Sequence, residues 1–207
     1  MVGAVLSVAV LLTDAEDPIR AAIDLYRDVA GYEATVKSSG GGSSEVMHYY
    51  FRKPGFVRME FMTPFNGAVL VYSPVTGQAR LWPFGYKRFP ALSLSPENRL
   101  IRSSTGQRVD RSDVGALYDN VKALQEHGKT EIAGVESVDG RETIRVTVAA
   151  DAGYSIGAVA HYQLWIDRVS GFPLRVMSYG ADGRLIESVE MEDLKINPDF
   201  PPGLFDQ

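Results

Sequence analysis

The side chains best suited to chemistry are three histidines, a cluster of carboxylates and many serines, and their spacing gives none of them a partner. His48 falls in a strand-like run, His127 at the end of a helical one, and His161 at the start of another strand. None stands in the His-x-x-x-His or His-Glu-x-x-His spacing that sets two imidazoles on one helix face for a metal. His127 is instead placed to meet the negative end of a helix dipole. Glu187, Glu190, Glu192 and Asp193 crowd one strand, and paired carboxylates can perform acid–base work. Strand alternation sends Glu187 and Asp193 to one side and Glu190 and Glu192 to the other, so a solvated outer face is expected there, not a converging pair. No serine sits in a Gly-x-Ser-x-Gly elbow. The run Ser38 to Ser44 (S-S-G-G-G-S-S) lacks phosphate-loop spacing and leads into a strand; it reads as a flexible hairpin tip. With no cysteine, a thiol nucleophile, a Cys-ligated metal and a disulfide framework are excluded. The expectation is a protein with no catalytic residue, no metal site and no cofactor.

Size and charge narrow the class further. At 207 residues, one domain with a large antiparallel sheet is the natural reading. The net charge is −5, and no basic run exceeds Arg52-Lys53 or Lys87-Arg88, which argues against a nucleic-acid partner. Val2 to Leu12 is an unbroken apolar run closed by Thr13-Asp14-Ala15-Glu16-Asp17. It is too short to span a bilayer and has the length of a signal-peptide core, although the positive n-region is missing. Residues 1–16 are therefore expected to be an export-signal remnant, with a buried first strand as the alternative, and residues 17–207 a single periplasmic domain.

The elements that must position any site follow from punctuation and periodicity. Asp17-Pro18 opens a helix whose apolar positions Ile19, Ala22, Ile23, Tyr26, Val29 and Ala30 recur at helical spacing up to Gly31. Strands are expected at 32–37, 45–52, 56–63, 67–73 and 78–84, separated by Pro54-Gly55, Asn66-Gly67 and Thr76-Gly77. Gly85 to Arg111 has little periodicity and many basic positions, the mark of a functional or mobile crossing segment. Ser112-Asp113 caps a second helix carrying Val114, Leu117, Tyr118, Val121 and Leu124 on one face. Strands then follow at 129–138, 141–149, 160–168, 172–180 and 184–195, and the prolines at 198, 201 and 202 are expected to finish the chain without structure of their own. The predicted fold class is α+β: one large curved antiparallel sheet of about ten strands, a half-open barrel, with the helices covering its concave face.

The block from Tyr49 to Phe84 is apolar on both alternating faces, whereas an antiparallel sheet open to water is polar on one. Val57, Met59 and Phe61 share one side; Leu70 and Tyr72 alternate with Val69 and Val71; Trp82 and Phe84 share a side. Two helices can cover only part of this surface, so an apolar cavity is expected, with Met suited to lining it.

In their order, Arg52-Lys53-Pro54-Gly55-Phe56-Val57-Arg58-Met59-Glu60-Phe61, then Leu70-Val71-Tyr72 and Leu81-Trp82, resemble the N-terminal half of the LolA/LolB-like lipoprotein carriers. Leu164-Trp165-Ile166-Asp167, Gly171-Phe172-Pro173-Leu174, Gly183-Arg184-Leu185 and Leu194-Lys195-Ile196-Asn197 resemble that family's closing strands, and Leu204-Phe205 its usual ending. The resemblance covers roughly residues 17–205 and implies a non-enzymatic periplasmic carrier that takes lipid or lipoprotein acyl chains into an apolar cavity for transport to the outer membrane. It implies Val57, Met59, Phe61, Leu70, Tyr72, Trp82, Phe84, Leu164 and Ile166 as acyl-cavity residues, Arg52 and Lys53 as a basic element at the mouth or for a partner, and a transport partner protein in the inner or outer membrane. The segment Phe89 to Asp110 departs from the lipoprotein chaperone, and the missing cysteine from the membrane-anchored branch, so the cargo stays open. The alternative is an envelope-stress sensor of the same fold that binds a protein partner.

Overall fold

The computed structural model describes residues 17–207; the apolar run and acidic residues of 1–16 lie outside them. Asp17 caps α1 (Pro18–Tyr26), its carboxylate accepting from the amides of Ile19 at 3.0 Å and Arg20 at 3.2 Å. The helix stops at Tyr26 rather than continuing to Ala30. There the Lys53 ammonium donates to the carbonyls of Tyr26 (3.0 Å) and Arg27 (2.8 Å), satisfying acceptors left open by the helix end.

Six strands follow: β1 (Gly31–Gly40), β2 (Ser43–Arg52), β3 (Phe56–Thr63), β4 (Val69–Ser73), β5 (Gln78–Trp82) and β6 (Leu92–Leu94). After α2 (Val114–Glu126) come β7 (Gly128–Val138), β8 (Arg141–Ala150), β9 (His161–Asp167), β10 (Pro173–Tyr179) and β11 (Leu185–Ile196). All pairings are antiparallel, and the order is β6-β5-β4-β3-β2-β1-β11-β10-β9-β8-β7. Two meanders are thus joined where β1 meets β11, and the curved eleven-stranded sheet stays open between β6 and β7. The chain leaves one edge at Leu94 and re-enters at the other at Gly128. It crosses the inner face on the way, through 3-10 turns at Arg99–Ile101 and Val109–Arg111 and then α2.

Two local expectations are corrected. The glycine-rich run is not a loose tip: β1 runs to Gly40, β2 begins at Ser43, and Gly41 and Gly42 alone make the turn at φ +59° and +83°. Both are left-handed, the geometry that suits a two-residue hairpin. The eleventh strand, β6, lies inside the segment that showed no periodicity, because three residues are too few to display one.

Both helices lie over the β7–β10 half. α2 buries Val114, Ala116, Tyr118, Val121 and Leu124, and of these Val114, Tyr118, Val121 and Leu124 share one core with Ile144, Val146, Val148, Leu164 and Ile166. Beneath α1, an aromatic knot joins the two halves. Phe172 meets Tyr32 edge-on at 5.1 Å and Tyr26 at 5.8 Å, and Tyr32 stacks on Tyr49 at 5.8 Å. The Tyr32 hydroxyl accepts from the amide of Val114 at 3.1 Å, and Asp113 caps α2 by accepting from Gly115 (2.8 Å) and Ala116 (3.2 Å). Asp113→Ala should cost about 1–2 kcal/mol and Asp113→Asn little, as urea denaturation will read; equal losses would mean that the cap is not what Asp113 contributes.

The outer face of β2–β5 carries a further layer, formed by the end of the chain. Residues 198–207 form no helix or strand, yet Phe200, Leu204 and Phe205 pack with Val69, Val71 and Trp82 in a second apolar cluster. Buried Arg58 donates to the Leu204 carbonyl at 2.9 Å while its guanidinium pairs with Glu60 at 2.6 Å and lies 4.2 Å from the Tyr86 ring. Gln207 donates to the carbonyls of Val71 (3.0 Å) and Gln78 (2.7 Å). This layer accounts for one of the two apolar faces of the Tyr49–Phe84 block.

Candidate functional site

The other face of that block is the floor of a cavity of about 640 Å³. A cross-strand row fixed by register, Tyr49–Met59–Leu70–Leu81, runs across it. Met47 and Phe61 form the next row, and Val36, Val189 and Met191 continue the floor onto β1 and β11. The roof is the crossing segment: Leu100, Ile101 and Val109, with Ser112 placed 3.0 Å from the Tyr49 hydroxyl. The helices cover the other half of the sheet, so among the described residues a single short segment, without a full helix, separates this half from solvent. Segments of this kind open at lower free energy than the core they cover.

One end of the cavity is polar. Ser38 donates to Glu187 at 2.8 Å, and Glu45 stands on the same wall. Burial, reinforced by the nearby Glu187 charge, raises the Glu45 pKa above the usual carboxylate range. Glu187 is thus on the cavity side and not on a solvated outer face. Glu190 and Glu192 do face outward, where they pair with Arg175 (2.8 Å) and Lys37 (2.6 Å).

The residues named from the sequence separate into groups. Met59, Phe61, Leu70 and Phe84 line the cavity together. Val57 and Tyr72 are cross-strand partners in the next inner-face row, Val57 fully packed and Tyr72 partly so, outside the lining. Leu164 and Ile166 are also on the inner face but lie buried in the core beneath α2. Trp82 is on the opposite face, in the cluster under residues 198–207; Leu81 holds the inward position on β5. Trp82 and Phe84 do not share a side, because β5 ends at Trp82 and Pro83 breaks the alternation. Arg52 and Lys53 do not line the cavity. The Arg52 guanidinium lies 4.7 Å from the rings of both Phe56 and Phe205, and Lys53 caps α1. Met47, Tyr49, Leu81, Val189 and Met191 also line the cavity and are not among the cavity residues expected from the sequence; their parity was legible, their facing was not.

The three histidines are dispersed. His48 is exposed on β2, His127 ends α2 with its ring 4.3 Å from that of Tyr154, and His161 stacks on Tyr179 at 4.9 Å. Among the described residues no cluster of three or more His, Cys, Asp or Glu side chains could hold a metal. Burial lowers the His161 pKa below its ordinary 6.5, so the unfolded chain takes up a proton that the folded one resists. The stability this group contributes is full above pH 6.5 and is lost as pH falls from there through the lower folded value. Wild-type melting temperature should therefore drop more than that of His161→Gln between about pH 7.5 and 5.5; parallel declines would rule this out.

The profile of the MucB/RseB N-terminal domain family matches residues 93–207, more than half of the chain. No curated protein sequence matches it. Among solved structures, an uncharacterized conserved protein from Thermus thermophilus superposes with a TM-score of 0.57 at 11% identity, over 92% of this chain and 94% of that one. MucB superposes at 0.55 with 16% identity over 94% of this chain; the chain spans 63% of MucB's length. The lipoprotein LppX from Mycobacterium tuberculosis gives 0.55 at 15% identity, over 94% of this chain and 99% of that one. Identities this low carry fold and nothing more. The open sheet with two helices agrees with the LolA-like architecture that the sequence resembled, and on the profile match the chain belongs to the MucB/RseB N-terminal domain family, a family of LolA-like fold.

Proposed function

We propose that residues 17–207 form a single ligand-binding unit of the bacterial envelope that takes up an acyl chain without catalysis. The observation that carries this reading is the apolar cavity roofed, among the described residues, by the crossing segment. Its volume falls within the range of about 300–1,000 Å³ of small-molecule pockets. Burying an acyl chain contributes about 0.8 kcal/mol per methylene, so a dozen methylenes supply roughly 10 kcal/mol before ordering costs. Met59, Phe61, Leu70 and Phe84 are the named residues that would touch the chain, and the Ser38–Glu45–Glu187 end would receive its polar head. Release needs either a competing acceptor or displacement of the Leu100–Val109 roof.

The direct test is native mass spectrometry of freshly purified protein, followed by organic extraction. A stoichiometric lipid or lipopeptide released only on denaturation supports the carrier. A clean apo mass, with no uptake of a fluorescent fatty-acyl probe, sinks it. The second reading, a sensor that binds a protein partner, is supported by membership of the MucB/RseB N-terminal domain family, since MucB has been solved in complex with MucA. A ligand-free protein that forms a stable complex with the periplasmic part of a membrane protein would bring that reading forward.

A further inference from the structure

Three residues of the cavity lining are also among the most exposed large apolar side chains. Phe65 is 60% exposed, Phe84 67% and Leu100 71%. A side chain that lines a cavity while facing water stands at its mouth. These three come from the β3–β4 turn, the residues after β5 and the first 3-10 turn, so the apolar character belongs to a rim and not to one run of sequence.

The rim is also basic. Between Gly85 and Arg111 there are six basic residues and two acidic ones, in a chain of net charge −5. Both local acids are engaged by one side chain: Arg108 pairs with Asp110 at 2.6 Å and Glu97 at 3.2 Å. Arg88, Arg99 and Arg102 form no salt bridge among the described residues. Arg102 lines the cavity, Arg99 precedes Leu100, and Arg88 folds back over Gly85 beside Phe84. An acidic protein surface would answer the arginines but not three protruding apolar groups, and a neutral apolar surface the reverse. A layer of phosphate heads above hydrocarbon answers both.

We propose that the mouth of the cavity docks on an anionic phospholipid membrane, with Phe65, Phe84 and Leu100 entering the acyl boundary and Arg88, Arg99 and Arg102 meeting lipid phosphates. The docking gives the acyl-carrier reading its route of exchange and in that sense rests on it; the contact itself needs no ligand in the cavity.

Co-sedimentation with phosphatidylcholine vesicles, with and without phosphatidylglycerol, tests it. Wild type should pellet with the anionic vesicles, less so at high salt, and not with phosphatidylcholine alone. Arg99→Gln with Arg102→Gln should weaken binding about 25-fold, at roughly fivefold per cation removed, and Phe84→Ser with Leu100→Ser should lower it at any salt. All four positions are solvent-facing, and unchanged melting curves would exclude misfolding. Wild type that ignores anionic vesicles overturns the proposal, as does a double Gln variant that binds like wild type. A protein that takes up a fatty-acyl probe but ignores vesicles loses the docking and keeps the carrier; one that docks but takes up no probe keeps the docking and loses the carrier. Loss of a protein partner in the double Gln variant, without vesicle binding by wild type, would reassign the rim to an acidic protein.

Discussion

Phe172→Ala is expected to lower unfolding free energy by about 3–5 kcal/mol, the range for truncating a fully buried aromatic ring. Phe172 is fully buried where β10 begins, and its ring meets Tyr26 of α1 and Tyr32 of β1. Those contacts tie a helix and the first strand to the second meander, so the vacated space cannot collapse without moving elements from both halves. The neighbouring Gly171 has φ +71°, and a Cβ there would stand 3.1 Å from the Ala22 Cα; α1 therefore sits close against this turn. Tyr118 donates to the Gly171 carbonyl from the other helix. Phe172→Leu keeps much of the volume and should cost clearly less. Urea denaturation of the two variants is the measurement, and a loss below about 1 kcal/mol for Phe172→Ala would show that the halves are held together elsewhere.

The second large effect concerns the cavity. Met59→Trp should weaken acyl-probe binding about 200-fold while leaving stability nearly unchanged. Met59 is only partly buried on the cavity floor, between Tyr49 and Leu70. An indole there grows into empty space, which avoids the strain of overfilling a packed core. If it displaces about four methylenes of the bound chain, the loss is roughly 3 kcal/mol. Titration with a fluorescent fatty acid reads the affinity, and thermal melting the stability. Unchanged affinity in a folded variant would show that the acyl chain does not lie on this floor. Leu164→Ala, cut from the core under α2 instead, should lower stability by about 2–5 kcal/mol and leave probe affinity in the surviving folded protein unchanged. That contrast separates a cavity residue from a core residue, although both looked alike in the sequence.

Much of the architecture was legible because its signals are local. Asp17-Pro18 and Asp113 announce helix starts, and both act as caps. Asp139-Gly140 and Asp182-Gly183 mark turns, and nearly every strand follows from alternation between such marks. Alternation also showed that the Tyr49–Phe84 block is apolar on both sides and must be covered twice. It could not name the covers. Parity divides Leu81 from Trp82 but does not say which faces inward. The answer depends on the pairing of β1 with β11, on the crossing of Leu94–Gly128 over one face, and on the packing of Phe200, Leu204 and Phe205 over the other. The same long-range choice took Leu164 and Ile166 out of the cavity by laying α2 on them, and turned Glu187 from an expected outer face to the cavity wall. The inventory of elements and their two-faced apolar pattern were thus written locally, since capping, turn conformation and side-chain alternation act over a few residues. Which face encloses the cavity, and which residues form its mouth, emerged only in the folded chain, because both follow from contacts between residues distant in the sequence.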